Sequence, residues 1–166
     1  LLTGSEGTLA FVHSAKLNLI ESPEKEVKLL CIHCHSVQEA MLANIEALKF
    51  EPLASELVDD FILSFTKGHP LFEKDRDFIQ GDPAAILMVE FRNSDECKLA
   101  EKVNTLIKQL SELNIGYAYP ILSNEAIAHG WEIRKAGLGL IRNLVADEQA
   151  VNLIEDCAVD PLDLPY

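Results

Sequence analysis

Positive charge is what this chain has least of. It sets 14 Lys and Arg against 27 Asp and Glu, for a net charge of −13. A field of that sign repels DNA, RNA and anionic lipid and argues against nucleic-acid binding. It also opposes any anionic ligand unless a local cation captures it, so each cation in a cleft is worth tracing. Long apolar runs are absent: no stretch approaches the roughly 20 residues needed to span a bilayer. No basic leader segment is present, and the chain opens on Leu1 rather than Met, as expected of a piece of a longer polypeptide. Cysteine is sparse. Cys31, Cys34, Cys97 and Cys157 do not mark a small secreted scaffold, so reduced thiols in a cytosolic protein are expected.

What is present is the composition of one folded domain: 166 residues, 48% apolar and 25% charged. Residues 8–20 read as a strand, and Ser22-Pro23-Glu24-Lys25-Glu26 as a polar connector. Lys28 to His35 is a β-type run. Ser36 with Glu39 forms a capping box. Val37, Met41, Ile45 and Leu48 then recur at helical spacing to about Lys49, and Pro52 stops that helix. Leu53–Val58 is the next expected strand and Asp59–Phe65 a short helix. Gly68, Pro70, Gly81 and Pro83 make residues 67–83 a surface loop. Its Lys67, His69, Lys74 and Arg76 are either solvated or part of a lid.

Ala84–Phe91 is the strongest strand signal. Ser94 is the expected cap of a helix that carries Asp95 and Glu96 in its first turn, where the helix dipole favours them. Leu99, Val103, Leu106, Leu110 and Leu113 form its apolar stripe, Gly116 lies just past it, and Tyr117–Leu122 is a further strand. Each half therefore reads strand, Ser-capped helix, strand. Two such units pack as a ferredoxin-like double split βαβ, an α+β fold with an antiparallel sheet and helices on one face. An additional helix from Ser123 to about Leu144 and a strand at Leu153–Val159 follow, with Pro161 and Pro165 ending the domain.

Two places have residue types suited to ligand binding. In the opening turn, Gly4 and Gly7 bracket Ser5 and Glu6, and Thr8 follows. Glycine permits positive φ and close approach of backbone to a ligand, which suits phosphate or carbonyl oxygens. An ordinary Gly-rich loop ahead of a strand has the same spacing. The second place is the cation-rich stretch of Arg134, Lys135 and Arg142. A guanidinium fork matches a carboxylate bidentately; a solvated Arg134 paired with Glu132 or Asp147 fits the same residues.

Cys31-Ile32-His33-Cys34-His35 contains metal-ligand residue types. On a strand, however, positions 31, 33 and 35 face one way and 32 and 34 the other. Cys31 and Cys34 then diverge, so buried small hydrophobes and no metal are expected, with His33 and His35 on a half-exposed face. His129 has the chemistry of a general base and equally fits packing or surface.

Three separated segments carry a resemblance to a known family. They are Leu2-Thr3-Gly4-Ser5-Glu6-Gly7-Thr8-Leu9-Ala10 with His13-Ser14-Ala15-Lys16-Leu17, then Trp131-Glu132-Ile133-Arg134-Lys135-Ala136-Gly137, then Ile154-Glu155-Asp156-Cys157-Ala158-Val159. In that order they resemble the FAD-linked oxidases of the glycolate oxidase, D-lactate dehydrogenase and D-2-hydroxyglutarate dehydrogenase type. The resemblance implies that residues 1–20 end a flavin-binding domain and residues 21–166 form the substrate-binding (cap) domain. It implies FAD in the full-length protein, contacted here by Gly4, Ser5, Gly7 and Thr8 mainly through backbone N–H. The family's main pyrophosphate loop lies upstream, so this piece alone is not expected to retain FAD.

The resemblance further implies that Arg134 binds the carboxylate of a small 2-hydroxy acid, which is oxidised to the 2-oxo acid. The family's catalytic and metal-binding histidines lie downstream, so no catalytic base and no metal ligand are assigned within this chain. Where D-2-hydroxyglutarate dehydrogenase carries a hydroxyl residue one turn past the arginine, Leu138 stands here; where it carries a lysine near the last strand, Glu155 stands. A substrate of the lactate or glycolate type is therefore expected. Some members carry an iron–sulfur domain further on. The expected location is the cytoplasm, with peripheral attachment at the inner membrane as a variant of it. The alternative reading is a non-catalytic ferredoxin-like module that binds a metabolite or a partner protein.

Overall fold

Two nine-residue strands, β1 (Glu26–Cys34) and β3 (Ala85–Asn93), form the centre of the domain. The structure, a computed structural model, describes residues 2, 4–20, 22–142 and 158–166. β1 and β3 pair antiparallel along their whole length, from Glu26 opposite Asn93 to Cys34 opposite Ala85. β2 (Ala54–Asp59) flanks β3 and β4 (Ile121–Leu122) flanks β1, in the order β2-β3-β1-β4. Helix α1 (Val37–Leu48) joins β1 to β2 across β3, and α3 (Glu96–Glu112) joins β3 to β4 across β1. This is the double split βαβ arrangement. Helix α2 (Asp60–Thr66) and a 3₁₀ turn (Lys74–Arg76) lie between β2 and β3, and α4 (Ala126–Arg142) follows β4. Among the described residues no helix is long and apolar enough to cross a membrane.

Alternation along β1 divides the core. Leu30, Ile32 and Cys34 pack with Ala40, Ala43 and Ala47 of α1 and with Leu99, Val103, Leu106 and Leu110 of α3. Leu29 and Cys31 point the other way, to Leu63 of α2, Phe78 of the 67–83 connection and Ile133 of α4. Helices α1 and α3 thus share one face, and the additional helix covers the other. Burial on both sides explains why β1 and β3 read as continuous apolar runs rather than as alternating ones.

Local chemistry sets the element ends, with several departures from expectation. Ser36 Oγ accepts from Glu39 N at 3.0 Å, while Glu39 itself accepts from His35 N and from Gly116 N, tying α1 to the turn before β4. The buried face of α1 is Ala40, Ala43, Asn44 and Ala47, not the larger residues at 37, 41, 45 and 48. Small side chains let this helix sit close to the sheet, and the larger ones fall to its flanks. The cap of α3 is Asp95, whose carboxylate accepts from Cys97 N and Lys98 N, one residue later than Ser94. Its stripe closes at Leu110, because Leu113 is already the C-cap. The expected strand Tyr117–Leu122 is reduced to two ladder residues and one bridge, Ala118 to His33. Pro120 has no N–H to give the ladder, although its carbonyl accepts from Cys31 N at 2.9 Å.

Residues 8–20 are not a strand in this structure. A strand needs a neighbour, and among the described residues none pairs with this segment. Phe11 and Leu19 are more than nine-tenths exposed. The connection 67–83 is packed down rather than lifted: Phe78 is buried, Tyr117 Oη donates to Gln80 O, and Gln80 N donates to His33. The expected strand Leu153–Val159 lies outside the described residues, apart from Ala158 and Val159, which are irregular.

Gly116 is where backbone geometry is most restrictive. Its φ is +78°, and a Cβ there would meet Ile32 Cγ2 at 2.9 Å and the His33 carbonyl at 3.2 Å. Gly116→Ala should therefore destabilise the fold by about 2 kcal/mol, read as a lower urea midpoint. An unchanged midpoint would show that this turn is looser than its geometry.

Candidate functional site

Helix α4 carries the main candidate residue, and the sheet positions the helix. Its contact point is Gly130, where a Cβ would lie 2.9–3.1 Å from Leu29, Leu122 and Met88 side chains. Close approach there lets polar residues on the helix flanks reach the strands. Trp131 Nε1 donates to Glu90 Oε2 at 3.1 Å. Glu90 is only 6% exposed, and its other oxygen is held by Arg92 at 2.9 Å. One turn on, Arg134 Nε donates to Glu56 Oε2 at 2.5 Å. Ala54 is paired with Glu90 and Glu56 with Met88, so Glu56 and Glu90 lie on neighbouring strands and on the α4 face.

Arg134 is therefore neither buried in the apolar core nor paired with Glu132. Its side chain is 49% exposed. Only Nε is engaged; among the described residues neither Nη group has a hydrogen-bond partner. The two remaining nitrogens are the edge of the fork that binds a carboxylate bidentately. Lys135 turns to Glu132 at 3.0 Å instead. Beside Trp131 runs an open groove of about 490 Å³, lined by Val27, Glu90, Arg92, Ile127 and Lys135 among others. The side chains of Leu138 and Arg142, and all of Asp147 and Glu155, lie outside the described residues.

His129 faces elsewhere. Its Nδ1 lies 2.5 Å from Asp75 Oδ1 in the 3₁₀ turn. Positions 129 and 134 are five residues apart, about 140° around a helix, so a ligand on Arg134 would lie on the opposite flank from this imidazole. Of the loop cations, Lys67 pairs with Asp82 at 2.9 Å, and Arg76 caps α2 by donating to Leu63 O and Thr66 Oγ1. These contacts make the loop a packed strut and remove the lid reading.

The opening turn is a real turn, with φ of +48° at Glu6 and +81° at Gly7. Ser5 Oγ donates to Leu2 O at 2.8 Å and Thr8 Oγ1 to Ser5 O at 2.6 Å; the N–H groups of Ser5 and Thr8 bond to the same two carbonyls. No heavy atom lies within 4 Å of a Cβ built at Gly4 or Gly7, so the backbone there is open to approach. Among the described residues no hydrogen bond or ion pair joins this turn to α4.

Cys31 and Cys34 enter the two different core clusters. Burial pushes both thiols up to about 12. Among the described residues no group of three or more His, Cys, Asp or Glu is placed to hold a metal. His33 departs from the half-exposed position expected of it: it is fully buried beneath the 67–83 connection. Its Nδ1 lies 3.1 Å from Cys31 O, and its Nε2 accepts from Gln80 N at 3.2 Å. That pair of bonds assigns a neutral ring with the proton on Nδ1. His35 stays exposed and stacks on Tyr117. Sequence reasoning overlooked Glu56 and Glu90. The visible sign was Glu90, a lone carboxylate inside the apolar run Ala84–Phe91.

Comparison with known proteins places this geometry in a family. The family of FAD linked oxidases, C-terminal domain, matches residues 23–166, and the chain belongs to it. Among curated proteins it is similar to D-2-hydroxyglutarate dehydrogenase of Escherichia coli (strain K12), 29% identical over 178 residues. It is also similar to the D-2-hydroxyglutarate dehydrogenases of Pseudomonas putida (strain KT2440), 27% identical over 168 residues, and Haemophilus influenzae (strain Rd), 29% over 174. These matches cover 97%, 97% and 99% of this chain but 17% of each relative, so the chain spans about a sixth of their length.

Burial holds the His33 imidazole below its ordinary value of 6.5. The folded state keeps this ring neutral while the unfolded chain takes up a proton, so stability present above the ordinary value is lost as pH falls through it. His33→Gln removes the titration. The gap in urea midpoint between the native chain and this variant should narrow from near pH 8 to about pH 5. A constant gap would show that His33 charges freely in the fold.

Proposed function

We propose that this chain is the substrate-side cap of a longer flavin-dependent enzyme that oxidises a D-2-hydroxy acid to the 2-oxo acid. Residues 1–20 would close the flavin-binding domain and 21–166 form the cap. The observation that carries the reading is Arg134: a half-exposed guanidinium whose two Nη nitrogens have no hydrogen-bond partner among the described residues, in a domain of the FAD-linked oxidase family and a chain of strong negative charge. Its fork receives the substrate carboxylate and fixes the orientation of the carbinol carbon. Orientation of this kind can supply several kcal/mol of the barrier, on the order of the gains for positioned reactants.

The opening turn fits one edge of a flavin site and no more. Gly4 and Gly7 leave backbone open to approach, and Ser5 and Thr8 hold the turn's shape through their own hydroxyls. FAD, when bound, supplies the acceptor for the hydride. Most of its contacts then come from the sequence ahead of this chain, as does the upstream domain that is the cap's partner. No base is assigned here, since His129 faces Asp75 on the far flank of α4.

The relatives' names make D-2-hydroxyglutarate the first substrate to try. A monocarboxylate such as lactate or glycolate is the second reading, favoured by Leu138 and Glu155, which offer no hydroxyl or cation for a second carboxylate.

In the full-length enzyme, Arg134→Ala should raise KM for the hydroxy acid at least about tenfold while leaving bound flavin unchanged. Unchanged kinetics would remove Arg134 from the site. A full-length protein without flavin would instead favour the non-catalytic module.

A further inference from the structure

We propose that Glu56 is a positioning residue for Arg134: it holds the guanidinium by Nε and leaves the two Nη nitrogens as a preformed fork. The inference rests on the reading of Arg134 as the carboxylate-binding residue and extends it to a side chain on another strand. Three observations support it. First, the contact uses Nε alone, the one nitrogen whose loss leaves the Nη edge of the fork intact. A carboxylate sitting on that edge would block the site; this one flanks it.

Second, the pair has little to do with stability. The side chains are 49% and 37% exposed, and exposed ion pairs contribute little to folding. What such a pair does accomplish is to select one arrangement of a long, many-rotamer side chain. Free arginine side chains lose considerable rotamer freedom on binding, and a contact that orders them beforehand reduces that loss.

Third, the frame that carries the pair is rigid. Trp131, one turn before Arg134, is held by the buried Glu90, itself held by Arg92. Glu90 sits on β3 and Glu56 on the adjacent β2, both on the face that α4 covers. The helix is therefore held at two successive turns by carboxylates from two neighbouring strands. Glu90 fixes its roll, and Glu56 fixes the direction of the guanidinium. Repulsion between Glu56 and an incoming carboxylate acts in the opposite sense, but across an exposed site it is screened by water and salt.

The test is steady-state kinetics of the full-length flavoenzyme with D-2-hydroxyglutarate or D-lactate, whichever is turned over faster. Glu56→Ala should raise KM about tenfold with kcat within about twofold, the signature of lost binding rather than lost chemistry. Glu56→Gln keeps an oxygen acceptor for Nε and should restore KM to within about threefold of the native value. In an Arg134→Ala background, Glu56→Ala should change nothing further, because the group it positions is gone. If Arg134→Ala raises KM while Glu56→Ala leaves it unchanged or lowers it, Glu56 is a bystander or a competitor and the proposal is overturned, with Arg134 still in place. If Glu56→Ala lowers kcat and thermal stability together and Glu56→Gln fails to restore KM, the role is structural and the proposal is again overturned. If Arg134→Ala itself leaves KM unchanged, the underlying reading fails and this one with it.

Discussion

Every residue of β1 from Leu29 to Cys34 is fully buried, and across the ladder Ala85 to Phe91 are at most 6% exposed. A central strand pair without a wet face needs a cover on both sides. One side is met by α1 and α3, which the split βαβ connections deliver automatically. The other side has no such guarantee, and α4 with α2 and the 67–83 connection supply it. Each large aliphatic side chain fully buried in these layers contributes about 2 kcal/mol, so α4 is part of the core and not an appendage. Its position is consequently set by packing, at Gly130 against Leu29, Leu122 and Met88 and at Ile133 within the second cluster.

That placement is what gives the polar residues of α4 their meaning. A helix packed on a sheet has one buried stripe and two flanks, and here each flank finds a carboxylate. One flank reaches Glu90 and Glu56 through Trp131 and Arg134; the other reaches Asp75 through His129. In this chain of net charge −13, Arg134 pairs with Glu56 through Nε, and among the described residues neither of its Nη nitrogens has a hydrogen-bond partner. Lys67, Lys135 and Arg92 likewise pair with Asp82, Glu132 and Glu90. Arg76 is absorbed by the C-terminal turn of α2.

Much of this was legible in the residues. The central strands announce themselves as apolar runs, the α3 stripe at 99, 103, 106 and 110 is fully buried, and the duplicated strand-helix-strand order leads to the observed topology. What was not legible shares a physical cause: the information lay in a partner far along the chain. The buried face of α1 is Asn44 and three alanines, residues that carry little weight in a hydrophobic pattern but let the helix sit close to the sheet. His33 is buried by a connection nearly fifty residues downstream, and no local pattern around it foretells that cover. Asp95 outcompetes Ser94 for the α3 cap through bonds decided by one residue of register. Residues 8–20 read as a strand, yet among the described residues nothing pairs with them. Glu56 and Glu90 reach Arg134 and Trp131 only once β2 and β3 lie side by side beneath α4.

The family resemblance pointed to Arg134, which the fold leaves half-exposed, with Nε on Glu56, on a helix packed against the sheet. The most direct measurement is a crystal structure of the full-length protein with a 2-oxo acid bound. The account predicts the ligand's carboxylate about 2.8 Å from the Arg134 Nη atoms, in a two-pronged contact, with Nε still on Glu56. A carboxylate held by other residues, with the Arg134 fork facing solvent, would contradict it.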